Sequence, residues 1–161
     1  ENGWTEKDLV YFVGELDNNK LKYLTITYGD CFAASEDVYL SVKNTIKEKV
    51  NGIEGFTFEV TNELGKINNI DKLSITDLRI RGMWIIDNPR LMFSYILDEY
   101  NNVDSDMKVF LIMLTEKYNS FSSEDRALIE QNNLLHVHDI RIKNPDNPEE
   151  MMDAKLICYY L

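Results

Sequence analysis

Both histidines of the chain stand two residues apart, in the run His136-Val137-His138. Side chains at positions i and i+2 of an extended strand project from the same side, so the two imidazoles can approach one ion. Imidazole nitrogens bind zinc and iron, although a stable site needs at least a third ligand. The adjacent Asp139 points to the other side of the strand. His136 and His138 are candidate metal ligands, and we expect them to be solvated polar residues without a metal.

A second set of chemically capable residues lies at positions 145–155. Pro145-Asp146 is followed by Asp153-Ala154-Lys155, a pattern that resembles the signature of the PD-(D/E)xK nucleases. The resemblance implies a hairpin on which two carboxylates hold a divalent metal ion and a lysine orients the attacking water. The same Pro-Asp lies within Asn-Pro-Asp-Asn-Pro, a composition that by itself predicts a turn. We therefore name Asp146, Asp153 and Lys155 as catalytic candidates only in an alternative interpretation, and otherwise expect no catalytic residues.

Cysteine chemistry is a third option. Cys31 and Cys158 are too few for a disulfide framework and too far apart for a zinc-ribbon spacing. Cys31 can act as a nucleophile only if a histidine folds beside it, and no local signature indicates this. The two cysteines favour a reducing compartment, and we expect a cytoplasmic protein of a host or a microbe. That location is provisional, because the chain starts at Glu1 rather than Met.

The charge of the chain bears on its partners. Acidic residues number 28 against 17 basic ones, giving a net charge of -11, spread evenly and without a Lys/Arg run. Because attraction to phosphate supplies most non-specific affinity for nucleic acids, this balance predicts no nucleic-acid partner and no anionic membrane. A protein partner, and a basic one in particular, fits the charge better. We expect no cofactor, and the sequence leaves the oligomeric state open.

Amphipathic aromatic residues are abundant and are common anchors of protein interfaces. Glycine-rich phosphate loops, nucleophile elbows and calcium loops do not occur in the sequence. We therefore expect a recognition surface made of aromatic and acidic side chains. The candidate binding residues are Trp4, Tyr11, Tyr159, Tyr160, Glu149 and Glu150.

Alternation and turn signals predict the elements that must position these residues. A hairpin is expected from Leu9–Leu16 and Leu21–Tyr28, and a second one from Leu135–Ile142 and Ala154–Leu161. Capping residues predict helices after Ser35, Asn88 and Ser122. The run Met107–Leu114, apolar except for Lys108, is compatible with a buried strand or a buried helix, and its Val-Phe-Leu-Ile centre favours the strand. Further strands are expected in 56–61 and 73–86.

These elements predict an α+β fold, with residues 1–161 forming a single domain. Strand hairpins with intervening helices favour an antiparallel or mixed sheet with about three helices packed mainly on one face. Six positions at helical spacing are expected in the core: Val42, Ile46, Val50, Leu91, Tyr95 and Ile96.

The function that these features favour is a non-enzymatic, acidic protein-binding or assembly domain. Inhibitors, immunity proteins, adaptors and virion components are proteins of this kind, and the Asn, Ile and Lys content suggests an AT-rich microbial or viral genome. The alternative is a metal-dependent hydrolase or nuclease that uses His136 and His138, or Asp146, Asp153 and Lys155. The sequence alone leans against an enzyme.

Overall fold

The computed structural model describes residues 8–50, 56–57, 63–81 and 85–160. They belong to two compact units, one of 1–33 together with 87–161 and one of 34–86. The elements, in chain order, are β1 (Val10–Asp17), β2 (Lys20–Tyr28), α1 (Glu36–Val50), β3 (Phe56–Thr57), β4 (Glu63–Ile67), β5 (Leu78–Arg81), α2 (Pro89–Met92), α3 (Ser94–Tyr100), β6 (Lys108–Leu114), α4 (Thr115–Ser120), α5 (Ser123–Glu130), β7 (Leu135–Lys143) and β8 (Met151–Tyr160).

The larger unit contains a five-stranded mixed sheet in the order β1-β2-β6-β8-β7. β2 and β6 are parallel, and the other neighbours are antiparallel. The α+β class and the mixed sheet are confirmed. The single domain over 1–161 stays a prediction.

Both predicted hairpins form, and a short turn connects the strands of the first one, β1 and β2. Asn18 and Asn19 have φ angles of 48° and 63°, in the left-handed region that a tight two-residue hairpin turn requires. Asparagine tolerates this conformation better than most residues. The turn is therefore two residues long, shorter than the loop of 17–20 expected from sequence.

The run predicted as a strand over 107–114 forms β6. β6 lies between β2 and β8, and side chains cover both of its faces. A strand buried on both sides has no need of polar residues at alternate positions, which explains the continuous apolar stretch from Val109 to Leu114 that follows Lys108.

Two core clusters pack on opposite faces of the sheet. One joins Phe93, Ile96 and Leu97 to alternate residues of β6, β7 and β8, including Phe110 and Ile112. The other is formed by Met113, Tyr118 and Ile157, with Phe121 and Ile129 packed against it. The helices of this unit therefore lie on both faces rather than mainly on one. From Val109 to Leu114 β6 is apolar on both faces, so its sequence carries no signal that would have shown this.

Part of the expected core is wrong. Val42, Leu91 and Tyr95 are 43%, 62% and 42% exposed, whereas Ile96 is buried as predicted. The helix that starts at Asn88 breaks at Phe93, so Phe93 turns inward in place of Leu91. Ile46 is half-buried, and the side chain of Val50 lies outside the described part of the chain.

The smaller unit contains α1 and an antiparallel sheet in the order β3-β4-β5. β5 begins only at Leu78, because the carboxylate of Asp71 accepts hydrogen bonds from the backbone N–H groups of Leu73 and Thr76 at 2.8 and 2.7 Å. This turn replaces the first part of the strand predicted over 73–86. Residues 58–61 and 82–84 of the predicted strands lie outside the described residues.

Candidate functional site

The β7–β8 hairpin carries most of the residues singled out from sequence. Its register places Asp139 opposite Lys155 and Arg141 opposite Asp153. Positions 139 and 141 share one face of β7, and positions 153 and 155 share the same face of β8. These four residues, Asp139, Arg141, Asp153 and Lys155, form what we call the hairpin ladder.

The ladder contains two ion pairs of different character. Arg141 Nε lies 3.5 Å from Asp153 Oδ1, and both side chains are mostly exposed, at 64% and 79%. Lys155 Nζ lies 2.5 Å from Asp139 Oδ1, with the lysine side chain only 18% exposed. Solvent therefore screens the Arg141–Asp153 pair more strongly than the Lys155–Asp139 pair.

Lys155 is held from the helical side as well. Its Nζ lies 5.4 Å from the centre of the Tyr118 ring, within the range of a cation–π interaction. The Tyr118 hydroxyl donates a hydrogen bond to Glu130 Oε1 at 3.0 Å. Burial raises the pKa of Tyr118, and the Glu130 carboxylate adds to that shift, so the hydroxyl stays a neutral donor. Lys155 thus has its ammonium engaged by a carboxylate and an aromatic ring.

Asp146 lies in the turn between the strands and not on the ladder. Its backbone N–H donates to Asn144 Oδ1 at 2.9 Å, and Asn144 N donates to Glu150 O at 2.9 Å to close the turn. The turn predicted from the composition of Asn-Pro-Asp-Asn-Pro is confirmed. The structure brings Asp153 and Lys155 onto one face, while Asp146 stays in the connection.

Asp139 and Arg141 are the ladder residues that sequence reasoning missed. From the sequence, Asp139 is only a neighbour of the histidines on the opposite side of the strand, and Arg141 has no assigned role. Lys143 pairs with Met151 across the turn, and Asp139 and Lys155 stand four residues further along on either strand. A search of the sequence for opposite charges at equal distances on either side of a predicted turn would have found the pair.

The ladder does not fit a divalent metal ion. Within residues 8–50, 56–57, 63–81 and 85–160 no group of three or more His, Cys, Asp or Glu side chains is arranged to hold one. Each ladder carboxylate has a cationic side chain as its close partner. A cation already neutralises each carboxylate, so the PD-(D/E)xK resemblance is not supported by a metal-binding geometry here.

The two histidines pack against aromatic rings. The His138 ring centre lies 4.7 Å from that of Tyr100, and the His136 ring centre lies 5.7 Å from that of Tyr160. Burial lowers the pKa of His138 below its usual 6.5, and the nearby His136 lowers it further. The neutral imidazole of His138 therefore packs as a half-buried aromatic ring.

Neither cysteine has the surroundings of a nucleophile. Cys31 and Cys158 are 2% and 0% exposed and both belong to the first core cluster. Burial raises the pKa of each thiol, and Asp30 raises that of Cys31 further. A thiolate is the reactive form, so both cysteines are inert core residues.

The expected aromatic and acidic binding surface is not assembled as one patch. Tyr159 and Tyr160 end β8, whereas Glu149 and Glu150 precede its start, so the ten-residue strand separates the two pairs. Tyr11 is on β1, where its ring packs edge-on against Phe32 at 5.2 Å. Trp4 lies outside the described residues. The candidates therefore stay separate predictions.

Comparison with known proteins gives the chain a family context. Residues 1–143 match the sequence model of the NgoPII restriction endonuclease. The type II restriction enzyme NgoPII of Neisseria gonorrhoeae is 45% identical over 159 residues, which cover 98% of this chain and 56% of the relative. The chain thus spans little more than half the length of that relative. No solved structure matches the chain.

These similarities overturn three predictions. The non-enzymatic protein-binding or assembly domain is wrong, as are the emphasis on protein–protein interaction and the exclusion of nucleic acid. The charge argument failed because net charge averages over the whole surface, whereas contact with a phosphate backbone depends on local groups. No helix in the described part of the chain is long and apolar enough to cross a membrane.

Proposed function

Because the chain belongs to the NgoPII restriction endonuclease family, we propose that the protein hydrolyses phosphodiester bonds of DNA at specific sequences. The observation that carries the proposal is 45% identity to a restriction enzyme across 98% of this chain. Similarity of this extent leaves no large region of the chain without a counterpart in the relative. A DNA substrate also supports the cytoplasm as the place of action.

The proposal needs an account of how an acidic protein approaches DNA. Cationic side chains must be accessible to phosphates, and on this hairpin Arg141 is an exposed one. Arg141 is 64% exposed in its pair with Asp153 at 3.5 Å, so exchanging the carboxylate for a phosphate requires little rearrangement. Lys155, by contrast, is mostly buried and engaged. Arg141 is therefore a better candidate for a phosphate contact than Lys155.

The hairpin ladder is proposed to support the fold rather than to perform the hydrolysis. Within the part of the chain that the structure describes its carboxylates belong to no metal-binding group, and we assign no catalytic step to Asp146, Asp153 or Lys155. The pairing of Lys155 with Asp139 and its position over Tyr118 connect β7 and β8 to α4. The histidine pair, packed against Tyr100 and Tyr160, is likewise assigned a packing role.

The direct test is DNA cleavage by the purified full-length protein. Plasmid and phage DNA are incubated with the protein with and without Mg²⁺, and the products are separated by size. Discrete fragments would support the proposal if their sizes on both DNAs agree with cleavage at one recognition sequence. Intact DNA, or an unspecific smear that persists through purification, would contradict it.

Variants separate the function from the assignment of residues. Asp146→Asn and Asp153→Asn are expected to cleave within about threefold of the unchanged protein. Arg141→Gln is expected to weaken DNA binding and to reduce its salt dependence, because one phosphate contact is lost. A well-folded Asp153→Asn protein that binds DNA but no longer cleaves it would reassign Asp153 to catalysis, and the endonuclease function would still stand.

A further inference from the structure

The turn that precedes β5 holds two large apolar side chains in solvent. Leu73 and Ile75 are 77% and 78% exposed, and Ile70 and Leu78 beside them are also exposed. Single exposed apolar residues are ordinary on a protein surface, whereas a cluster of them marks a contact site. Residues 69–77, which we call the apolar loop, are therefore a candidate contact surface within the smaller unit.

The backbone of the apolar loop is held by hydrogen bonds within the loop. The Asp71 carboxylate accepts from Leu73 N–H and Thr76 N–H at 2.8 and 2.7 Å. Ile70 N–H donates to the Thr76 carbonyl at 3.0 Å. A hydrogen bond from the Thr76 side chain lowers the pKa of Asp71, and the backbone N–H groups lower it further, so the carboxylate is ionised at neutral pH. The turn thus depends on Asp71 and not on the side chains of Leu73 and Ile75.

This arrangement presents the two side chains in a fixed conformation. Ser74, between them, has a φ angle of 59°, which is uncommon for a residue other than glycine. Ser74 N–H donates to the Asp71 carbonyl at 3.0 Å, which stabilises that conformation. A loop ordered before binding loses less conformational entropy when it meets a partner.

Local charge also sets the apolar loop apart from the rest of the chain. Its carboxylates accept hydrogen bonds from its own backbone, since Asp77 Oδ1 accepts from Asn69 N–H at 3.2 Å. Lys72, next to Leu73, is exposed. Residues 63–81 contain four basic and three acidic residues, a net charge of +1, whereas the whole chain carries -11. This segment is therefore better suited to approach a polyanion than the average surface of the protein.

The chemistry of Leu73 and Ile75 limits what they can contact on DNA. Aliphatic side chains have no hydrogen-bonding groups, so the apolar parts of a duplex open to them are thymine methyl groups and the faces of the bases. Base faces become accessible when leucine or isoleucine inserts at a base step, partly unstacks it and bends the duplex. A second copy is a poorer partner, because a symmetric contact between two such loops would bring their Lys72 ammonium groups together.

We propose that the apolar loop enters a groove of the bound DNA, where Leu73 and Ile75 insert at a base step and unstack it. Lys72 contacts a phosphate beside that step. The inference rests on the proposed endonuclease function, since DNA is the ligand that the loop takes. It assigns Leu73 and Ile75 to binding and bending the substrate and not to the hydrolysis.

The fluorescence of 2-aminopurine tests the insertion, because this base is quenched within the stack and brightens when it is unstacked. The full-length protein is mixed, without Mg²⁺, with duplexes that contain its cleavage sequence and one 2-aminopurine at successive positions in and around it. One position is expected to brighten with the unchanged protein and to stay dark with the double variant Leu73→Ala, Ile75→Ala. The affinity of the double variant for the duplex is expected to be about tenfold lower.

Leu128→Ala is the matched control, because Leu128 lies on α5 and is 73% exposed. It should bind DNA and brighten 2-aminopurine like the unchanged protein. The double variant should have the same melting temperature as this control, and a value several degrees lower would show that Leu73 and Ile75 pack on the protein itself and overturn the proposal.

Other outcomes also contradict the insertion. If the protein cleaves DNA but every duplex stays dark, or if the double variant brightens the same position equally, Leu73 and Ile75 do not unstack a base step, and the endonuclease function still stands. Loss of a dimer in sedimentation equilibrium on making the double variant would assign the loop to a second copy and overturn the proposal. A protein that neither binds nor cleaves DNA would overturn the proposed function, and this inference with it.

Discussion

Asp139 and Lys155 face each other across the β7–β8 hairpin, with Asp139 Oδ1 2.5 Å from Lys155 Nζ. The carboxylate side chain is 82% exposed and the lysine side chain 18% exposed, so the cation is drawn inward and the anion outward. The ammonium group of Lys155 also lies over the ring of Tyr118. A charged pair of this kind favours one register of the two strands, because a slip of one residue would place the two side chains on opposite faces of the sheet.

Asp139→Asn is expected to lower the free energy of unfolding by about 0.5–1 kcal/mol, since it leaves a mostly buried lysine without its carboxylate. Asp153→Asn is the control, because its pair with Arg141 is exposed on both sides and is expected to contribute close to nothing. Urea unfolding of the two variants measures the difference. A larger loss for Asp153→Asn than for Asp139→Asn would contradict this ranking.

Leu97→Ala is expected to lower the free energy of unfolding by about 2–5 kcal/mol, through lost transfer energy and a residual cavity. Leu97 is fully buried in the first core cluster. Leu91→Ala provides the control in the same unit, because Leu91 is 62% exposed, and it should stay within about 0.5 kcal/mol of the unchanged protein. Chemical denaturation gives both values, and similar losses for the two would remove α3 from the core.

Thr25→Val is expected to raise the free energy of unfolding by about 1 kcal/mol, because it replaces a buried hydroxyl with a methyl group of similar shape. The Oγ1 atoms of Thr25 and Thr27 are buried and have no hydrogen-bond partner within the described residues. Thr25→Ser is the control, since it keeps the hydroxyl and loses the methyl group, and should destabilise the protein. A destabilised Thr25→Val protein would mean that the hydroxyl has a partner in solution.

Stability is expected to fall as the pH drops below about 6.5, with His138 as one contributor. Burial and the nearby His136 lower the pKa of His138 from 6.5 in the folded state. The unfolded chain therefore binds the proton first, and stability is lost between 6.5 and the lower folded pKa, whereas the contribution is constant above 6.5. Melting temperatures measured from pH 8 to pH 5 test this, and His138→Gln should flatten the profile. An unchanged slope in His138→Gln would assign the pH dependence to other groups.

Several local features of this protein can be predicted from sequence because they depend on neighbours along the chain. Asn18 and Asn19 accept the backbone angles of a tight turn, and Ser122 caps α5 by accepting from the backbone N–H of Asp125 at 3.0 Å. The strand at 108–114 is likewise favoured by its Val-Phe-Leu-Ile centre. The α+β class follows from the order of such elements.

Other features were decided only when distant segments came together. The inward position of Phe93 depends on a break between α2 and α3, and the distribution of helices over both faces depends on which alternate residues of β6 each helix covers. The partners of Lys155 come from β7 and α4, and their identity follows from strand register and helix placement rather than from spacing in the sequence. Side-chain chemistry and local backbone preference act over a few residues. Strand pairing, burial and the neutralisation of one charge by another depend on long-range contacts. For this reason sequence reasoning could name Asp153 and Lys155 but not the cross-strand ion pairs that they form.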